Sequence, residues 1–256
     1  MRSDRAFPLE LRPADAYNAS TMIGAPVFCR RFMAREEELR LLHDRYSVAA
    51  GGRGSMVLVG GEAGVGKTRF LEEVRAQLTA RGARVTFAGA LEHTESPLGP
   101  IVAILQQLDE ADPAILQREP ALHAALAPLF PGLLAESRDP LPTALADARR
   151  GQFAAIVEAL ARFTTGATIV VALDDMQWAD VATLDFLQYA VDKIATFRLV
   201  FLIAFRSDEL HRRHPLTPVI GKLERRDVVW RISLTQLSES DTRAFIHATL
   251  EDRGPL

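Results

Sequence analysis

The sequence predicts an α/β fold in which a five-stranded parallel sheet is covered by helices on both faces. Three observations carry this expectation. Strand-like and helix-like segments alternate along the chain, and no hairpin signal separates neighbouring strands. Two strand candidates, TIVVAL (168–173) and RLVFLIA (198–204), offer no polar face, as strands buried inside a parallel sheet require. A glycine-rich segment, GGEAGVGKTR (60–69), lies between an apolar strand and a helix.

That segment contains G-x-x-x-x-G-K-T, written here as Gly61, Glu62, Ala63, Gly64, Val65, Gly66, Lys67 and Thr68. Backbone N–H groups that turn inward around a phosphate need a path only glycine follows easily. A helix that starts at the loop adds the positive end of its dipole. Lys67 is placed to reach the β- and γ-phosphates, Thr68 to ligate Mg²⁺, and Arg69 to follow in the first turn. A plain glycine turn would match these fixed positions by chance in roughly one chain in a hundred of this length. The flanking strand (55–59) and helix (67–81, with Phe70, Leu71, Val74 and Leu78 on one face) supply the context the motif needs. A nucleotide site is the expectation.

The remaining elements follow in order. Residues 1–29 carry scattered prolines and no sustained period, and read as an arm. A helix is expected to open within residues 30–39, with Leu39, Leu42 and Tyr46 inward and Glu36, Glu37 and Glu38 in its first turn. A second strand is expected at 83–88 and a helix at 101–108. The stretch 112–142 is broken by prolines and reads as short helices. A long amphipathic helix is expected at 143–163, with Phe153, Ile156, Val157 and Leu160 inward. Further helices are expected at 181–194, 214–223 and 239–250, and a fifth strand at 228–232.

Composition narrows the function classes. Net charge is −3, with no basic stripe, so nothing advertises nucleic-acid binding. Cys29 is the single cysteine, which excludes an internal disulfide and suits the cytoplasm. The apolar runs are too short to span a bilayer, and the first residues lack a signal-peptide core. The histidines show no metal-ligand spacing.

In an open parallel sheet ligands bind at the carboxyl ends of strands. Asp174 and Asp175 stand at one such end. Asp174 is placed to hold Mg²⁺ and Asp175 to polarise an attacking water, against the alternative that the two acids only open a polar loop. Arg206 stands at another strand end, either to read the γ-phosphate or to form a surface salt bridge with Asp208 or Glu209. Trp178 reads as a packing residue rather than a base-stacking one, Gln177 and Asp180 as residues that orient the loop, and Arg225 with Arg226 as a solvated pair.

With these motifs in place, the chain resembles the STAND group of P-loop NTPases. It is especially similar to the AAA-type ATPase module of large ATP-binding LuxR-type transcriptional regulators. The segments FMAREEEL (32–39), the phosphate loop (61–68), LDDMQWAD (173–180) and AFRSDE (204–209) with HPL (214–216) carry the resemblance, which covers the chain from about Arg30 onward. It implies a three-layer sandwich of the AAA type, in which the Arg206 strand lies between the phosphate-loop strand and the Asp174 strand. It implies that backbone near Met33 and Arg35 lines the adenine pocket. It also implies a slow switch: ADP holds a closed state, and ATP with an inducer permits oligomerisation, with DNA contacted only through domains outside this chain. Ala34 replaces the family's glycine, so a positive φ there would be strained. The ATPase domain is expected at 30–235. Residues 236–256 are expected to begin a helical lid that the chain does not complete.

The function expected first is therefore an ATP-binding, slowly hydrolysing switch with Mg²⁺ as cofactor. One alternative is a module that binds nucleotide with negligible turnover. Another is an origin-recognition-like AAA motor, which predicts rings and DNA-stimulated turnover and sits poorly with the acidic balance of the chain.

Overall fold

A computed structural model of the chain describes residues 32–92, 96–129 and 145–251. The expected 1–29 arm, Cys29, His93, Pro131, Pro140 and Pro142 lie outside them. Among the described residues the elements are α1 (Glu36–Ala50), β1 (Ser55–Gly61), α2 (Lys67–Ala80), β2 (Arg84–Gly89) and α3 (Gly99–Ala111). Then come α4 (Ala114–Gln117), α5 (Pro120–Leu126), α6 (Leu145–Phe163), β3 (Ile169–Asp174) and α7 (Val181–Ala190). The described chain ends with β4 (Leu199–Arg206), α8 (Leu216–Leu223), β5 (Val229–Leu234) and α9 (Glu239–Glu251).

The strands form one five-stranded sheet in the order β2-β3-β4-β1-β5, with every pairing parallel. The Arg206 strand thus lies between the phosphate-loop strand and the Asp174 strand. Alternation along each strand explains the three layers, because successive side chains point to opposite faces. Leu58, Val171, Leu173, Phe201, Ile203 and Phe205 pack under α3, α6, α7 and α8. Val57, Val59, Val170, Ala172, Val200 and Leu202 pack against α1 and α2. Strands buried on both faces cannot carry polar side chains except at their ends. This is why the polar residues of β3 and β4 are Asp174 and Arg206, each the last of its strand.

The first helix starts at Glu36, within the stretch expected to open it and with the three glutamates in its first turn, because Ala34 (φ 60°) and Arg35 (φ −145°) are not helical. Other boundaries differ from the sequence expectation. The helix after β3 stops at Ala190, and the chain turns so that Ile194 is fully buried before β4. The outer strands β2 and β5 start one residue later than expected and are only half-buried along much of their length, where an apolar pattern is weakest. A further device guards the β2 edge. The Gln107 side chain of α3 accepts the Phe87 N–H at 3.1 Å and donates to its carbonyl at 2.8 Å, closing ladder positions another strand would otherwise take. Among the described residues no helix is long and apolar enough to cross a membrane.

Candidate functional site

The site lies where β1, β3 and β4 end. After β1 the loop turns through Gly64 (φ 75°) and Gly66 (φ 97°), and Gly66 caps the start of α2. Cβ atoms added at either glycine would meet nothing within 4 Å, so glycine is needed for backbone conformation and the concavity is open. At Gly61 the reason differs. A Cβ there would lie 2.7 Å from the Val65 side chain and 2.8 Å from the Leu234 carbonyl.

Lys67 is the first residue of α2 and is buried. Its ammonium donates to the carbonyls of Gly61 at 2.9 Å and Glu62 at 2.7 Å, which folds the side chain back across the loop. Burial holds its pKa below the ordinary value, and the positive charge of Arg206 acts the same way, against the carboxylates of Asp208, Asp174 and Asp175. A cation so placed gains from an incoming anion. Thr68 Oγ1 donates to Asp174 Oδ2 at 2.7 Å, and Asp174 Oδ1 accepts the Asp175 N–H at 2.8 Å.

Asp175 takes a left-handed conformation (φ 50°), which aspartate tolerates better than most residues, and opens a short 3-10 turn, Met176–Trp178. Buried Gln177 ties this turn to β4. Its amide donates to Asp175 Oδ1 at 2.9 Å, and its carbonyl oxygen accepts the Arg206 N–H at 3.1 Å. Asp180 caps α7 by accepting the Thr183 N–H at 3.0 Å and also accepts the Leu98 N–H at 3.3 Å. Both residues orient the loop as the sequence suggested. Trp178 packs against the core, and the Arg206 guanidinium lies 5.2 Å from its ring centre.

Arg206 forms a close ion pair with Glu209 (2.7 Å) and a longer one with Asp175 (3.5 Å). The Glu209 hydrogen bond raises the arginine pKa further. The salt-bridge partner anticipated at Glu209 is therefore present, on the same side chain that stands at the sheet's active end. Asp208 does something else: its Oδ1 accepts the N–H of Ala63, inside the phosphate loop, at 3.1 Å.

Near the loop a cavity of about 450 Å³ is bordered by Gly61, Glu62, Val65, Ser207, Thr235 and Gln236. Met33 and Arg35 are not among its described lining residues. Arg35 instead reaches its rim, donating to the Thr235 carbonyl and pairing with Glu38 at 3.5 Å. Arg69 is exposed and pairs with Glu72 at 3.6 Å along α2. Arg225 and Arg226 are exposed, as expected, and Arg226 makes a surface ion pair with Asp192 at 3.3 Å.

The donor set suits a polyphosphate with a hard divalent cation. Among the described residues no three His, Cys, Asp or Glu side chains gather as a metal cage. One hydroxyl and one carboxylate can hold Mg²⁺ when phosphate oxygens and water complete its shell, which is the arrangement this ion favours.

The sequence profile of the AAA ATPase domain matches residues 31–203. The chain belongs to the AAA ATPase domain family. As an AAA ATPase domain it is a P-loop nucleotide-binding unit, and its family generally binds ATP or ADP with Mg²⁺. It is 26% identical over 261 residues to an uncharacterized protein of Rhizobium meliloti (strain 1021). That match covers 91% of this chain and 23% of the relative, so the chain spans about a quarter of that protein's length. Among solved structures it is similar to Drosophila ORC bound to DNA, with 12% identity and a TM-score of 0.48 over 86% of this chain and 48% of that one. It is also similar to Rhizobiales Trip13, with 13% identity and a TM-score of 0.42 over 86% of this chain and 69% of that one.

Within this AAA ATPase domain the structure brings together the phosphate loop, Thr68, Asp174, Asp175 and Arg206. Sequence reasoning missed the docking of Asp208 on the loop. The available signal was its place just beyond a strand that ends at the site, but only the β1–β4 register shows which group it meets.

Proposed function

We propose that this domain is the ATP-binding, slowly hydrolysing switch of a signal-responsive transcriptional regulator working in the cytoplasm. Lys67 and the loop N–H groups of residues 61–69 hold the phosphates, and Thr68 and Asp174 hold Mg²⁺. Magnesium supplies charge neutralisation along the β- and γ-phosphates. Asp175 orients and polarises the attacking water, and Arg206 senses the γ-phosphate. Backbone at Met33 and Arg35 borders the adenine. Residues 236–256 begin a lid, self-association belongs to the triphosphate state, and DNA contact belongs to regions outside this chain.

The observation that carries this reading is the position of Arg206. Its guanidinium is held by two carboxylates, Asp175 and Glu209, at the end of a strand that abuts the phosphate loop. A cation with exchangeable anionic partners is suited to trade one of them for a γ-phosphate, and that trade would couple nucleotide state to the loop between β4 and α8.

A second reading, nucleotide binding with negligible turnover, is favoured by the engagement of Asp175. Its carboxylate already serves Gln177 and Arg206, which leaves it less available to a water. Asp175→Asn separates the two. Under the switch reading it lowers single-turnover hydrolysis by about a hundredfold or more while ATP affinity stays within a few-fold. A wild-type protein that binds ATP without turnover, together with an Asp175→Asn variant altered in affinity alone, would establish the binding-only module.

A further inference from the structure

The register of the sheet brings an acidic side chain onto the phosphate loop. In the β1–β4 ladder Gly61 is opposite Arg206, and the Ser207 N–H donates to the Gly61 carbonyl at 3.1 Å, extending the pairing past the strand. The next side chain, Asp208, is thereby set over the first half of the loop, where its Oδ1 accepts the Ala63 N–H at 3.1 Å. The same half is where Lys67 folds back, onto the Gly61 and Glu62 carbonyls. In loops of this pattern the lysine serves the β- and γ-phosphates, so this half faces the terminal phosphate. Asp208 also acts on Lys67 electrostatically, more strongly than Asp174 or Asp175 does.

We propose that Asp208 is a specificity-determining residue that biases the site toward nucleoside diphosphate. Its carboxylate occupies a loop N–H and the field of Lys67 at the position where a terminal phosphate would add charge. A diphosphate leaves that contact undisturbed. A triphosphate must displace the carboxylate, which moves the segment Ser207–Asp208 off the loop, or accept the repulsion of a like charge, and either costs triphosphate affinity relative to diphosphate. The inference rests on the nucleotide reading above.

The test compares dissociation constants of Mg-ADP and a non-hydrolysable Mg-ATP analogue by titration calorimetry on the full chain. The proteins are wild type, Asp208→Asn, Asp208→Ala and, as a charge control, Asp192→Asn, which sits at the opposite end of the sheet beside Arg226. Asp208 is exposed, and circular dichroism and melting curves verify that all four proteins fold alike. Both Asp208 variants are expected to tighten the triphosphate analogue relative to ADP by about tenfold to a hundredfold, the effect of a hydrogen bond to a charged group. Asp192→Asn is expected to leave the ratio unchanged. An unchanged ratio in both Asp208 variants, or an equal shift in Asp192→Asn, overturns the proposal while the nucleotide reading stands. Failure of all four proteins to bind either nucleotide overturns that reading, and this inference with it.

Discussion

Thr68 Oγ1 donates to Asp174 Oδ2 across 2.7 Å, joining the first turn of α2 to the last residue of β3 although 106 residues separate them. The hydroxyl and the carboxylate converge because β1 and β3 flank the same strand, β4, in parallel and therefore end on the same side of the sheet. Two oxygens so close can share one hard cation.

Removing the carboxylate should therefore cost magnesium rather than nucleotide. Asp174→Asn is expected to weaken Mg²⁺ affinity by about tenfold to a hundredfold. The check is ADP affinity measured with Mg²⁺ and with a chelator. The wild-type ratio should exceed that of the variant, and equal ratios would place the metal elsewhere.

Lys67 is the buried cation of the loop, and its ammonium is held by two carbonyls. Lys67→Ala is expected to weaken Mg-ATP binding by at least about a hundredfold. Calorimetry or competition with a fluorescent nucleotide measures this, and unchanged affinity would refute the site.

The proposed sensing of the terminal phosphate by Arg206 would have an optical reporter. Its guanidinium lies 5.2 Å from the Trp178 ring centre. In a Trp230→Phe background, which leaves Trp178 as the only tryptophan, a non-hydrolysable ATP analogue should change the emission and ADP should not. Arg206→Gln should abolish the difference. Equal responses to both nucleotides would mean that Arg206 does not sense the terminal phosphate.

Ala34 has φ 60°, a left-handed conformation that costs a non-glycine residue roughly 1 kcal/mol. Glycine relieves this strain but loses more chain entropy on folding. Ala34→Gly is expected to stabilise the domain by about 0.5 kcal/mol, a rise in Tm on the order of 1–2 °C. Calorimetric melting without nucleotide tests the sign.

His214 makes stability depend on pH. Its Nδ1 accepts the Leu216 N–H at 3.2 Å at the start of α8, and its ring also bonds the backbone of Gln177. Burial, then the charge of neighbouring His211, lowers its pKa from the ordinary 6.5. As the pH falls the unfolded chain takes up this proton first, at about 6.5, so its contribution is full above that value. The contribution is lost as the pH drops through the lower folded pKa. His214→Asn keeps an acceptor for Leu216 and cannot titrate. Urea midpoints at about pH 7.5 and about pH 5 should therefore differ less for the variant. Equal differences would assign the dependence to other groups.

Local chemistry made much of the site legible without coordinates. Gly64 and Gly66 declare positive φ, Lys67 and Thr68 follow at a spacing tied to phosphate, and Asp174 interrupts an apolar strand at its end. The strand candidates were visible because burial on both faces demands unbroken apolar runs, and Ala34 stood out as a non-glycine residue where glycine was expected. The edges were blurred at β2 and β5, where half-exposed strands lose that pattern. The fold class and the phosphate loop are thus properties of the sequence itself, since backbone conformation and side-chain periodicity are local. What only the tertiary structure decided is who meets whom across the sheet. Gln177 spans Asp175 and Arg206, and Asp208 rests on Ala63 while its neighbour Glu209 takes Arg206. Those pairings depend on parallel register between strands far apart in the chain. A shift of one residue would turn each side chain to the opposite face, and no local pattern records that register.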